Sequence, residues 1–212
     1  MIDYESCVPS HVRDIKPSGI RKFFDLVGSR PNAISLTVGE PDFVTPWHIR
    51  MAGIESLEKG KTYYTANAGL LELRQEISRY LARRFDVHYD PQKEVIVTVG
   101  GSEAIDITFR ALLEPGDEVI IPLPAFVCYE PLARLAGGTP VIIETKEENK
   151  FKLTADELRA AITPRTKLLV LPYPNNPTGA IMTREELEQD GRTLEQLFFD
   201  VTEGLERDNM GG

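Results

Sequence analysis

The sequence predicts an α/β fold: a mostly parallel sheet with helices on both faces, three layers in all, preceded by an N-terminal arm. Two observations predict it. From Glu94 onward, short apolar and β-branched runs alternate with segments of helical spacing. The joins carry glycine and proline breaks, at Gly100-Gly101, Pro115-Gly116 and Gly137-Gly138. Strands that alternate with helices pair in parallel through crossovers, and a parallel sheet is covered on both faces.

The elements follow in order. Residues 1–33 are mixed and polar, broken by Pro9, Pro17 and Pro31, with one short helix expected over 20–27. Ile34 to Val38 is a short apolar run and ends in Gly39-Glu40-Pro41-Asp42-Phe43, a strand and then a loop. Residues 46–60 read as a helix with proline first and glycine last. A polar loop over 62–69 leads to a helix over 70–85, whose Leu71, Ile77, Tyr80 and Leu81 fall near helical spacing. Strands are then expected at 94–99, 118–121, 140–144 and 167–171. Helices are expected at 102–113 and 126–136, and another begins at Thr154 with a capping-box pattern through Glu157. A last helix over 183–188 is interrupted by Gln189-Asp190-Gly191-Arg192, and 193–209 reads as a short amphipathic helix.

Composition narrows the function. The chain has 212 residues, enough for one sizeable core. Its formal net charge of -9 repels nucleic acid and anionic lipid, so neither is an expected partner. Cys7 and Cys128 form no disulfide framework, and His11, His48 and His88 form no metal-ligand pattern, so no metal is expected. The start, MIDYESC, has no apolar core of a signal peptide, and no run has the length of a membrane span. A cytoplasmic protein is the expectation.

Three motifs carry chemistry. Gly100-Gly101-Ser102-Glu103 joins an apolar run to a helix. A helix start offers unpaired N–H groups and a positive dipole end, glycine admits a phosphate closely, and serine adds a donor. A plain tight turn with a capping serine fits the same residues. Phe126 and Tyr129 follow the strand at 118–121, where an aromatic face can stack on a heteroaromatic ring. A core aromatic is the simpler alternative. Pro174-Asn175-Asn176-Pro177-Thr178-Gly179 follows the strand at 167–171, at the carboxyl end where open α/β sheets bind ligands. A proline-rich turn also explains it.

These motifs, in this order behind Gly39-Glu40-Pro41-Asp42-Phe43 and Tyr64 to Arg74, resemble the class I/II aminotransferases, the aspartate-aminotransferase-like fold-type I enzymes dependent on pyridoxal phosphate (PLP). The resemblance spans about residues 10–188. It implies an arm and small-domain segment over 1–33, part of the PLP-binding large domain over 34–188, and a helical tail of unrelated appearance over 189–212. It implies further that Gly39 lies beside the substrate carboxylate. Gly100, Gly101, Ser102 and the Glu103 amide would hold the cofactor phosphate, with Phe126 stacked on the ring. Asn176 would bond the ring's 3-oxygen near the substrate carboxylate. Tyr64 would reach the phosphate of the partner subunit's cofactor in a homodimer. The intact relatives transfer an amino group from an amino acid to a 2-oxo acid. Carbon–sulfur lyases and decarboxylases of the same fold remain alternatives, as does a non-catalytic remnant or fusion product.

The sequence also departs from the family's pattern. The family's Schiff-base lysine follows the asparagine motif, and none of the nine lysines here does. The last is Lys167. Ser56-Leu57-Glu58-Lys59 imitates the lysine's Ser-x-x-Lys setting but precedes the phosphate loop, so a solvated helix face is expected. Leu197-Phe198-Phe199-Asp200 imitates a strand ending in the ring-binding aspartate, but it falls early and Glu203 stands where a tyrosine belongs.

Overall fold

The computed structural model describes residues 5–16, 39, 41–189, 192–194, 196–199 and 202. The helix expected at 20–27 and the strand expected at 34–38 lie outside the described residues. The chain divides into two compact units, one of residues 1–16 with 100–212 and one of residues 17–99.

The first unit is built on a parallel sheet of three strands. They are β1 (Glu118–Leu123), β2 (Thr139–Glu144) and β3 (Thr166–Leu169), in the order β2-β1-β3. Both pairings are parallel, with Ile120 beside Val141 and Leu169. β1 is central and buried from Glu118 to Pro122, as a strand covered on both faces must be. Its side chains alternate between two cores. Val119 and Ile121 pack with Phe109, Leu113 and Ala133 on one face. Ile120 packs with Leu153, Leu158, Leu194 and Leu197 on the other. The first face is covered by α4 (Gly101–Leu112) and α5 (Tyr129–Leu135), and the second by α6 (Ala155–Ala161). Near the N-terminus, α1 (Ser10–Arg13) lies against α5. The expected three-layer arrangement is thus observed.

Local chemistry sets the helix boundaries. α6 begins with the expected capping box: Thr154 Oγ1 accepts from the Glu157 N–H, and the Glu157 carboxylate accepts from the Thr154 N–H. α5 starts three residues later than expected. A helix from Phe126 would place Pro131 in its interior, where an N–H is required. A start at Tyr129 puts Pro131 in the first turn, where none is. α7 (Arg184–Leu187) has a second reciprocal cap between Thr183 and Glu186. Hydrogen bonds from Lys152 and Thr183 hold the Glu186 carboxyl down to about 2. Beyond α7, the two-residue strands β4 (Glu188–Gln189) and β5 (Arg192–Thr193) form an antiparallel pair separate from the parallel sheet. Residues 196–199 are helical, so Leu197-Phe198-Phe199 is not the strand it imitates. Helical spacing puts Leu194 and Leu197 on one face, and both are buried in the core beside Ile120.

The second unit contains α2 (Trp47–Glu58) and α3 (Leu71–Phe85). Pro46 precedes α2, and Gly60 follows it with φ 68°. Lys59 is exposed and paired with Glu55, on the solvated face expected for it. One expectation fails here. Residues 94–99 form no strand, although they are β-branched. A strand needs a ladder as well as propensity. Here Val97 donates to the Ala68 carbonyl at 3.0 Å, in a loop, and Ile96 and Val99 remain exposed.

Candidate cofactor site

Three loops meet at one end of the parallel sheet. The first is the start of α4. Gly100 has φ 84° and ψ 168°, a backbone conformation that L side chains rarely adopt, and it turns the chain into the helix. Gly101, Ser102 and Glu103 form the exposed first turn. A Cβ added to Gly100 or Gly101 would meet nothing within 4 Å, so space lies open in front of both. The second loop runs from the end of β1 through Pro124, Phe126 and Cys128 into α5. Phe126 is 37% exposed and meets Tyr129 edge to face, with 6.2 Å between ring centroids. The third loop is the turn 174–179 beyond β3. It is closed by its own backbone, from Asn175 N–H to the Ala180 carbonyl and from Gly179 N–H to the Asn175 carbonyl, each 2.8 Å.

Side chains join the three. The Ser102 hydroxyl hydrogen-bonds the Cys128 thiol, linking the helix start to the aromatic loop. Asn175 Nδ2 donates to the Pro124 carbonyl at 2.8 Å, linking the asparagine turn to the same loop. Burial pushes the Cys128 thiol up, and the Ser102 hydroxyl, donating to sulfur, opposes that only in part. Tyr129 is raised by burial and by its neighbour Cys128. Such a thiol is protonated at neutral pH and is a poor nucleophile. At the opposite end of β1, the buried Glu118 carboxylate accepts from Thr163 Oγ1 and from Arg165. That cluster ties strand starts together and faces away from the three loops.

Gly100, the first turn of α4 with Gly101, Ser102 and Glu103, and the loops of Phe126 and Asn176 therefore lie at this end, with Asn176 exposed in its turn. Gly39 and Tyr64 belong to the unit of residues 17–99, and both are exposed. The Tyr64 loop is fixed within that unit. Arg74 is buried and donates from Nε to the Gly69 carbonyl at 3.2 Å and from a guanidinium nitrogen to the Pro91 carbonyl at 2.7 Å. Sequence reasoning passed over Arg74, Asn175 and Cys128. Arg74 looked like one of several arginines on a polar helix face. The doublet Asn175-Asn176 puts two amides in one turn, but nothing in that pattern says which of them is buried. Among the described residues, no group of three or more ligating side chains could hold a metal ion, and no helix is long and apolar enough to cross a membrane.

The chain is similar to known proteins over most of its length. The family model for aminotransferase class I and II matches residues 31–196, continuing past the motifs that end near 188. A Bacillus subtilis (strain 168) protein named as an aminotransferase, YugH, is 55% identical over 184 residues, covering 87% of this chain and 48% of the relative. The aspartate aminotransferase of Pyrococcus abyssi is 45% identical over 175 residues, covering 82% of this chain and 45% of its own length. Among solved structures, aspartate aminotransferase from Thermus thermophilus with maleate superposes with a TM-score of 0.82 at 40% identity, covering 91% of this chain and 50% of that one. The chain thus spans about half the length of the relatives it matches. Its architecture is that of the three-layer PLP-transferase domain, and the chain belongs to the class I and II aminotransferases.

Proposed function

We propose that this chain provides part of the active site of a PLP-dependent aminotransferase, which moves an amino group from an amino acid to a 2-oxo acid. The observation that carries the reading is the meeting of three loops: the glycine-rich helix start, the loop of Phe126 and the turn of Asn176. The residues suit the cofactor. A twelve-residue helix begins at two glycines with open space before them, which favours an anion by dipole and by amide donors. Gly100, Gly101, Ser102 and the Glu103 amide would hold the phosphate. Phe126, partly exposed, would cover one face of the ring, and Asn176 would donate to the ring's 3-oxygen. Gly39 would lie beside the substrate carboxylate. Tyr64 would serve the partner subunit's cofactor in a homodimer. The division into an arm (1–33), a large-domain segment (34–188) and a tail (189–212) belongs to the same proposal.

When bound, PLP supplies an electron sink for charge developing at the amino acid's α-carbon. The residues of this chain bind and orient. Moving the α-proton needs a base within hydrogen-bond reach, and in this family a lysine does so. None of the nine lysines follows Asn176, so this chain by itself is proposed to bind PLP without turnover.

The test adds PLP to the chain, measures binding by absorbance and competition with inorganic phosphate, and maps borohydride-reduced adducts by mass spectrometry beside an amino-transfer assay. Saturable binding reversed by phosphate is expected, weakened about 2- to 12-fold by Ser102→Ala, the loss of one hydrogen bond. Labelling scattered over surface lysines is expected. Stoichiometric labelling of one lysine, with turnover abolished by its removal, would refute the assignment of this chain as non-catalytic. Binding unchanged by Ser102→Ala would refute the phosphate site.

A further inference from the structure

Asn175 is 6% exposed, and its amide is only half used. Nδ2 donates to the Pro124 carbonyl at 2.8 Å, while Oδ1 is buried with no hydrogen-bond partner. An unpaired buried acceptor costs stability, about 1–3 kcal/mol. The turn itself does not need the side chain, because two backbone hydrogen bonds already close it. What the side chain adds is a tie between two separate loops. One carries Phe126, two residues beyond Pro124. The other carries Asn176, the next residue in the chain.

We propose that Asn175 is a positioning residue, whose amide fixes the loop of Phe126 against the turn of Asn176 so that the two groups meet a ligand ring at one set separation. The mention of a ring rests on the function proposed above. The tie between the loops does not. Asn175 touches no ligand itself. It acts through Pro124 on one side and through its own backbone on the other.

Cys128 is a built-in reporter of this tie. It is partly buried, lies two residues after Phe126 and hydrogen-bonds Ser102. Cys7 is exposed and is replaced by serine in the parent used for the test. The rate at which an aromatic disulfide reagent modifies Cys128 then reports opening of the aromatic loop. Asn175→Asp keeps the shape but sets an oxygen against the Pro124 carbonyl. Asn175→Leu removes the hydrogen bond. Thr178→Ala weakens the same turn by removing the acceptor of the Ala180 N–H, and leaves the tie intact. Asn175→Asp is expected to speed Cys128 modification about 5- to 10-fold, one lost hydrogen bond plus the repulsion left behind, and Asn175→Leu about 2- to 12-fold, the hydrogen bond alone. Thr178→Ala is expected to change it by less than about twofold. Equal rates in Asn175→Asp and the parent, or equal acceleration by Thr178→Ala, would overturn the proposal.

A second arm separates this idea from the function it builds on. Pyridoxal phosphate affinity is expected to fall about tenfold in Asn175→Asp, with inorganic phosphate affinity unchanged, because the phosphate groups sit on the other loop. Parallel loss of both affinities would overturn the positioning role. If the parent binds no pyridoxal phosphate, the functional reading fails, and the thiol rates still decide whether the tie exists.

Discussion

Leu194 gives the most direct test of how the tail relates to the domain. It is 1% exposed, packs with Ile120, Leu153 and Leu158, and lies near the end of the segment that the family model matches. Truncating a buried leucine to alanine removes its transfer free energy and leaves a cavity, at about 2–5 kcal/mol. Two neighbours calibrate the result. Leu158 is fully buried in the same cluster, so Leu158→Ala should fall in the same range. Phe199 is 52% exposed in the same helical stretch, so Phe199→Ala should cost clearly less. Urea unfolding followed by far-UV circular dichroism reads the difference. With a slope of about 1–3 kcal/mol per molar urea, Leu194→Ala should lower the midpoint by about 1 M or more. A midpoint unchanged by Leu194→Ala while Leu158→Ala shifts it fully would show that the tail does not dock, and the placement of Leu194 and Leu197 in the core would fall.

Other predictions follow from particular contacts. Burial raises the Glu118 carboxyl, but hydrogen bonds from Thr163, Arg165 and Thr166 outweigh it and leave the group below its ordinary value of 4.5. The stabilisation is therefore complete above that value and lost as pH falls through the lower folded one. Glu118→Gln should cost about 1.5–3 kcal/mol at neutral pH, and the gap between variant and parent should narrow in unfolding curves taken below pH 4.5. Gly69 has φ 92°, and a Cβ there would lie 2.7 Å from Val97 Cβ. Gly69→Ala should cost about 2–4 kcal/mol in thermal unfolding, from backbone strain and overlap together. At Gly100 only the backbone contributes, since an added Cβ meets nothing, and Gly100→Ala should cost about 1–3 kcal/mol in the same assay. Thr154→Ala removes a capping box and should cost about 1 kcal/mol, read as a small drop in melting temperature.

The legible part of this fold was the part set by nearest neighbours along the chain. Thr154 and Glu157 name their own cap, Pro115-Gly116 ends α4 before β1, and the run at 118–121 predicts the strand that the structure extends to Leu123. The illegible part depended on partners distant in sequence. The residues at 94–99 have the composition of a strand, but the Val97 N–H is answered by a loop at Ala68 and the Glu94 N–H by Asp90. Leu194 and Leu197 carry helical spacing, but nothing in that spacing says they enter the core beside Ile120. In the site, motif order located the three loops. Which amide of the doublet 175–176 turns inward is a matter of three-dimensional packing, and only Asn176 could be picked out by pattern. Arg74 was hidden for a similar reason: its acceptors are backbone carbonyls, which leave no mark in a sequence.

The strand order β2-β1-β3 has a further consequence. The chain leaves β1 toward one side of the sheet, and when it returns for β3 it has crossed to the other. The crossover from β1 to β2 covers the face of Phe109 and Ala133, and that from β2 to β3 covers the face of Leu153 and Leu158, so the winding reverses beside β1. In open α/β sheets such a reversal is where the backbone itself leaves room that no side chain has to carve. If the function proposed above holds, the place for its cofactor is inherited from the route of the chain. On the function proposed above, the chemistry of such a place would be written only in the few residues at its edge, and these could change while the strands beneath keep their register.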